Sequence, residues 1–240
     1  LHRPAFGNRD LTQWLAQDLH MYADLGPSPK KHTWGAVLLS KFPIINSTHH
    51  LLPSPHGELA PAIHAVLDIW GVPTHVVVSH NGQFEDKLDR ELQTKAIARI
   101  LSDAYPHPAI FLGYVVTKPH APRPEPYDIL FSDGLIFDVD PDDKDRWCQY
   151  LGFRGLERVG YARVSRYTVT DTELQTFKLA VPDRLEPNRD VRPFRVSGRH
   201  FKPAAWTYPL SLVRPGVRLN ETHKYSPYIY PQYFEFEARH

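Results

Sequence analysis

Residues 74–104 read THVVVSHNGQFEDKLDRELQTKAIARILSDA, and the fold turns on how this stretch is divided. Residues 75–79 are a β-branched run bounded by turn residues, the pattern of a short strand buried on both faces. From Asp86 onward the apolar positions Leu88, Leu92, Ala96, Ile100, Leu101 and Ala104 recur at helical spacing. That spacing predicts an apolar face there, with Asp89, Arg90, Glu91, Lys95 and Arg99 on the other side. His80, Asn81 and Gly82 then fall at the carboxyl end of the strand, where layered α/β proteins often carry their chemistry. These residues alone leave two readings of His80 open, a chemical group or a histidine that only hydrogen-bonds the backbone.

Outward from this stretch, residues 34–40 predict a buried strand, and residues 46–50 predict a polar turn. Residues 63–70 alternate and turn at Gly71 into the strand before His80, as a β-hairpin does. Residues 108–113 predict a further buried strand. Residues 118–126, with four prolines, predict an exposed, extended loop. Earlier in the chain, residues 10–24 predict a helix with Leu11, Trp14, Leu15, Leu19 and Tyr22 on one face. Asp140, Pro141 and the acids after them resemble a helix start, which predicts a helix through residue 151. A metal site is the other reading of those aspartates. Residues 159–164 and 174–181 predict strands, and residues 182–240, rich in proline and aromatics, predict an extension packed on a single domain of residues 1–240. The expected class is α/β (α+β).

Lys plus Arg number 28 and Asp plus Glu 27, a formal net charge of +1, so no field draws in nucleic acid by charge. Cys148 is the single cysteine, which excludes an internal disulfide and points to a small buried hydrophobe. No apolar run approaches the length of a membrane span, and the expectation is a soluble, excised domain. Two sequons, at Asn46 and Asn220, suit a lumenal or extracellular location.

The turn VVVSHNGQFEDKLDRELQT, with His80, Arg90 and Gln93, resembles the endonuclease/exonuclease/phosphatase superfamily typified by DNase I. So does WGAVLLSKFPI, with Gly35, Leu39, Ser40, Pro43 and Ile44. In order along the chain, LLSKFPI, HNGQFEDKLDRELQT, LGYVVTKP, DVDPDDKDRWCQY, RVGYARVSR and TDTELQ resemble the C-terminal domain of the GPI-anchor lipid-remodelling protein of the calcofluor-white-hypersensitive family. THKY and PQYF match that family's end more loosely.

The resemblance implies a DNase I-like four-layer sandwich, two mixed β-sheets between helices. It implies a phosphodiesterase or phosphoryl-transfer activity that exchanges the inositol-phosphate-linked lipid of GPI anchors for ceramide. One divalent cation, Mg²⁺, is the implied cofactor. Implied partners are GPI-anchored proteins or the inositol-phosphate lipid, ceramide, and a transmembrane portion of the same protein, in the endoplasmic reticulum membrane with this domain lumenal; nucleic acid is not expected. The catalytic candidates are His80, Asp171 and His223, with Asp171 also the candidate metal ligand. Asn81, Lys41, Arg90 and His32 are the candidate substrate-binding residues. His80 and Asp171 are expected within about 10 Å of each other in one pocket.

The superfamily's Gly-Asp-x-Asn motif falls here on Gly113-Tyr-Val-Val116, without its acid and amide, and its Ser-Asp-His falls on Thr170-Asp-Thr172. Its metal-binding glutamate belongs to a strand expected before residue 1. The chain is therefore expected to lack a strand the fold needs. A catalytically inert relative that binds GPI or phosphoinositide headgroups, or a protein, is the competing reading.

Overall fold

The computed structural model describes residues 11–27, 35–57, 60–164, 172–182 and 195–196. The chain divides into two compact units, one of residues 1–157 with 181–184 and one of residues 158–180 with 185–240.

The first unit is built on a six-stranded mixed sheet. In chain order its strands are β3 (Ile44–Leu52), β4 (Ala60–Ile69), β5 (Val72–His80), β6 (Ala109–Tyr114), β7 (Phe137–Asp138) and β8 (Gln149–Arg154). Their order across the sheet is β3-β4-β5-β6-β8-β7. Only the β5–β6 pair is parallel; all others are antiparallel. A parallel pair requires a crossover, and α2 (Lys87–Asp103) supplies it. The β4–β5 hairpin closes through Trp70 and Gly71, both at positive φ (54° and 84°), as the two-residue loop that matches strand twist demands.

On one face of the sheet, Val77, Ala109, Phe111 and Tyr150 pack with Ile97 and Leu101 of α2 and with Leu130 and Ile136. Leu130 belongs to a π-helical turn (Ile129–Asp133) that continues the single turn α3 (Pro126–Asp128). On the other face, Ile63, Ala65, Leu67 and Val76 pack with Ala36 and Leu38. Leu38 lies on β2 (Val37–Ser40), which pairs antiparallel with β1 (Tyr22–Leu25). Gly26 lets this small ribbon approach the sheet, because a Cβ there would meet Ile63 Cγ1 at 2.7 Å. The second unit holds β9 (Glu157–Val164) from Arg158 on, β10 (Leu174–Ala180) and β11 (Arg195–Val196), in the order β10-β9-β11.

Four expectations are corrected. Residues 46–50 are not a turn but the middle of β3. The helix of residues 10–24 ends at Leu19, and its buried residues include Thr12 and Ala16, while Trp14 is 56% exposed. No helix follows Asp140: residues 140–145 are turns in which Asp138 and Asp143 side chains accept the Asp140 and Asp145 amides, and residues 149–154 form β8. Pairing with β6 and β7 is what wins there, and Cys148 is buried just before the strand. Residues 118–125 are exposed or half-buried and folded into successive turns rather than extended, and Pro126 is buried at the start of α3.

Arg146 explains the compactness of that region. Its guanidinium is buried and gives two parallel bonds to Asp138, at 2.8 and 2.6 Å, and a third to the Asp140 carbonyl. Tyr127 also donates to Asp138, at 2.8 Å, and burial first, then the Asp138 charge, pushes its phenol pKa up.

A row of imidazoles crosses the sheet. His64 Nε2 and His75 Nδ1 are 2.9 Å apart, and His75 stacks on His107 with ring centroids 5.6 Å apart. Burial lowers the pKa of His50, His64 and His75, and the neighbouring positive groups lower it further: His49 for His50, His75 then His50 for His64, His107 then Arg154 for His75.

Arg146→Ala leaves the Asp138 carboxylate buried beside hydrogen-bond donors but without its countercharge, so the chain should lose about 3–5 kcal/mol in urea unfolding. Arg99→Ala, which breaks the exposed Arg99–Asp103 pair, should cost about 0.5 kcal/mol or less. The histidine row sets a pH dependence. Folded-state pKa values below the unfolded value of about 6.5 mean that the unfolded chain binds more protons as pH falls through that value. Stability should therefore drop from neutral pH downward, levelling once the folded-state pKa values are passed. Urea midpoints at pH 7.5 and 5.0 should differ less in the His64→Gln, His75→Gln double variant than in the parent; equal differences would exonerate these two rings.

Candidate functional site

The site grows from the parallel register of β5 and β6, which sets His80 beside Tyr114. Strands running the same way end at the same edge, so both side chains stand where α2 begins. The two rings are stacked, with centroids 4.5 Å apart and planes 4° from parallel. Trp147 meets Tyr114 edge-on at 6.0 Å. It is held there because residues 115 and 117 take main-chain bonds to the Cys148 and Trp147 carbonyls. Tyr114 Oη reaches Gln83 Oε1 at 3.4 Å. Gly113 is required beneath this group, since a Cβ would lie 2.4 Å from the Phe111 ring and 3.0 Å from Ser79 Oγ.

Asn81 follows His80 and is fully buried. Its amide donates to the Tyr114 carbonyl at 2.9 Å, extending the parallel ladder by one residue, and its Nδ2 donates to Thr94 Oγ1 at 3.2 Å. The Gly82 amide donates to Gln93 Oε1 at 2.8 Å, and Gln93 Nε2 reaches Ser54 Oγ at 3.1 Å. One amide side chain thus ties the turn after β5 to the loop between β3 and β4. Asp89 ties α2 itself to that loop by accepting the His56 amide at 3.0 Å.

Arg90 is buried. It bonds the Val116 carbonyl and, at 3.2 Å, Glu125, and its guanidinium lies 5.4 Å from the centre of the Phe84 ring. The first two turns of α2 therefore bury Asp89, Arg90, Gln93 and Thr94, whereas Leu88 is 42% exposed. This corrects the apolar face read from the spacing: this half of the helix rests on a polar strand end and loop, and the apolar core takes over only from Ile97.

Among the expected site residues, the structure brings His80, Asn81 and Arg90 to one strand end. His80 is half-buried, while Asn81 and Arg90 are turned inward and occupied by main-chain and side-chain partners. Lys41 is exposed after β2 and bonds the Leu19 carbonyl at the end of α1 (Leu11–Leu19). Asp171, His223 and His32, and with them the expected His80–Asp171 separation, lie outside the described residues. Tyr114 and Trp147 were not anticipated. The only sequence signal for Tyr114 was its place at the acid of Gly-Asp-x-Asn.

A hard dication such as Mg²⁺ needs several oxygen donors around one point. Among the described residues no group of three or more His, Cys, Asp or Glu side chains could hold a metal ion. At this strand end stand Tyr114 and Val116, where the sequence resemblance sets the superfamily's acid and amide, and Val116 is buried. The described residues at this strand end do not fit the cation.

Comparison with known proteins agrees with this architecture. A structure of an endonuclease/exonuclease/phosphatase from Bacteroides vulgatus superposes with a TM-score of 0.57 at 14% identity, covering 70% of this chain and 79% of that one. The fold is thus α/β, with mixed sheets and helices, and DNase I-like. Protein cwh43 of Schizosaccharomyces pombe is 57% identical over 215 residues, 90% of this chain. The match spans 21% of that protein's length, so the chain corresponds to about a fifth of its curated relative. The profile of the PGAP2IP C-terminal nuclease-like domain matches residues 1–201, and on these two matches the chain belongs to that family.

Proposed function

We propose that the chain is the domain of a GPI-anchor lipid-remodelling protein that acts on the inositol-phosphate linkage of the anchor, with His80 as its proton-transfer group. The observation that carries this is the placement of His80: a half-buried imidazole at the carboxyl end of β5, its ring fixed against Tyr114, while Asn81, Arg90 and Gln93 are spent on holding the turn. An imidazole stacked in place at a strand end suits general acid–base work on a phosphoryl group.

In exchange for ceramide, the ceramide hydroxyl oxygen bonds to phosphorus and the bond from phosphorus to the outgoing lipid oxygen breaks. One group takes the proton of the entering hydroxyl, and another returns a proton to the leaving oxygen. His80 serves one of these roles. His223 and Asp171, both outside the described residues, are the proposed partners, and Asp171 is also the proposed ligand of a divalent cation. Inositol-phosphate lipid and ceramide are the proposed substrates, presented at the lumenal side of the endoplasmic reticulum membrane by a transmembrane portion of the longer protein. No helix among the described residues is long and apolar enough to cross a membrane.

A second reading, a headgroup-binding module without catalysis, is favoured by one observation. Tyr114 stands at the position of the superfamily's acid and lies against His80, so the machinery of metal-assisted cleavage is not rebuilt there.

His80→Ala in the full-length protein separates the two. Trimming this ring should cost the fold about 0.5–3 kcal/mol, whereas loss of a proton-transfer group should slow exchange by about 10²–10⁴. In cells lacking the parent protein, the variant should accumulate normally yet fail to restore ceramide-containing anchors. Normal anchor lipids at normal abundance would make His80 structural and leave the binding reading standing.

A further inference from the structure

The outer strand of the six-stranded sheet shows a feature that the proposed activity does not use. β3 is nine residues long, IINSTHHLL, and among the described residues it pairs only with β4. Among the described residues nothing pairs with its other edge, and backbone donors and acceptors left open along an edge invite another strand. Edge strands are normally guarded by lysine or other charge, by proline, by shortness or by bulges. β3 has no Lys, Arg, Asp, Glu or Pro, and its one bulge lies at its beginning, between Ile44 and Asn46. Ile45 and Leu51 are each 58% exposed, which adds apolar surface to the hazard.

The sequon Asn46-Ser47-Thr48 lies on this same strand. Its bulge sets the alternation so that Ser47 and His49 turn to Asp24 of β1, both bonded to its carboxylate. Asn46 and Thr48 fall at the alternate positions, pointing away from Asp24, and Asn46 is exposed. The residue that would carry a glycan and the hydroxyl residue that completes the sequon are thus left clear of this contact, while the residue between them is held. Asn46 pairs with Val66, and Val66 pairs with His75, five residues before His80 on β5. At roughly 3.3 Å per residue, Asn46 stands about 16 Å along the strands from the His80 end, so a bulky group there leaves that end clear.

We infer that Asn46 is N-glycosylated and that the glycan guards the edge of β3 that no described residue pairs. In the transfer, the Asn46 side-chain nitrogen forms a bond to the anomeric carbon of a polyprenyl-diphosphate-linked oligosaccharide. The bond from that carbon to the diphosphate oxygen breaks, and the polyprenyl diphosphate leaves with the electron pair while the amide gives up one proton. A hydrated oligosaccharide beside a strand edge excludes an approaching chain by bulk and does so without charge. The transfer takes place on the lumenal side of the endoplasmic reticulum, so the modification also fixes the side of the membrane on which this domain lies. The inference is independent of any role for His80.

The test uses the full-length protein made in eukaryotic cells, with Asn220→Gln as background so that the other sequon does not contribute. Asn46→Gln and Thr48→Ala should each migrate faster than the parent by one glycan, and the difference should vanish after glycosidase treatment. Thr48→Ser keeps the sequon and should migrate with the parent, which distinguishes loss of the glycan from any effect of altering β3. Co-migration of Asn46→Gln with the untreated parent would overturn the inference. The guarding role is read from detergent-solubilised protein by size-exclusion chromatography. Asn46→Gln and Thr48→Ala should both form more high-mass aggregate than Thr48→Ser, and equal monomer fractions in all three would overturn that part.

Discussion

The parallel pairing of β5 with β6 is the constraint on which the rest of the first unit depends. It cannot be closed by a tight turn, so it obliges the chain to spend α2 on a crossover, and it brings two strand ends to the same edge. The hairpin on one side and β8 on the other are antiparallel additions to that pair. His80 and Tyr114 are neighbours because of it. In an antiparallel pair those two residues would lie at opposite ends of the sheet.

The crossover helix carries two kinds of contact in succession, and the division is visible in its residues. Ile97 and Leu101 fill the apolar layer over Val77 and Phe111. Asp89, Arg90 and Gln93, one to two turns earlier, meet main-chain groups of the turn after β5, of the β3–β4 loop and of the segment after β6. A buried charge or amide is costly unless its partners are in place. These side chains therefore fix three loops to one another as well as to the helix, and the edge at His80 is rigid for a polar reason rather than an apolar one.

This also explains what the amino-acid sequence disclosed and what it concealed. The strand at residues 75–79, the hairpin before it, β6, the burial of Cys148 and the strands β9 and β10 were all legible, since period-two alternation and short β-branched runs report directly on burial. The buried face of α2 was not legible, because spacing arguments equate burial with apolarity and Arg90 and Gln93 break that equation. Asp140 and Pro141 carry the local signature of a helix start, yet the pairing of Tyr150 and Leu151 with β6 decides the outcome, and pairing partners about 40 residues away leave no local trace. His80 was placed correctly at its strand end. Its contact with Tyr114 needed the β5–β6 register, which only the folded sheet supplies. The row from His64 to His107 was hidden for the same reason, its members being brought together across strands.

That row has a consequence for where protons reside. With His64 Nε2 and His75 Nδ1 2.9 Å apart, one nitrogen must carry the hydrogen and the other must offer its lone pair. While both rings are neutral, a hydrogen on His64 Nε2 leaves its Nδ1 bare and obliges His75 to hold its own hydrogen on Nε2; the opposite choice reverses both. The two rings therefore change tautomer together or not at all. A choice made on β4 is imposed on β5, and the pair behaves as a single element with two proton arrangements.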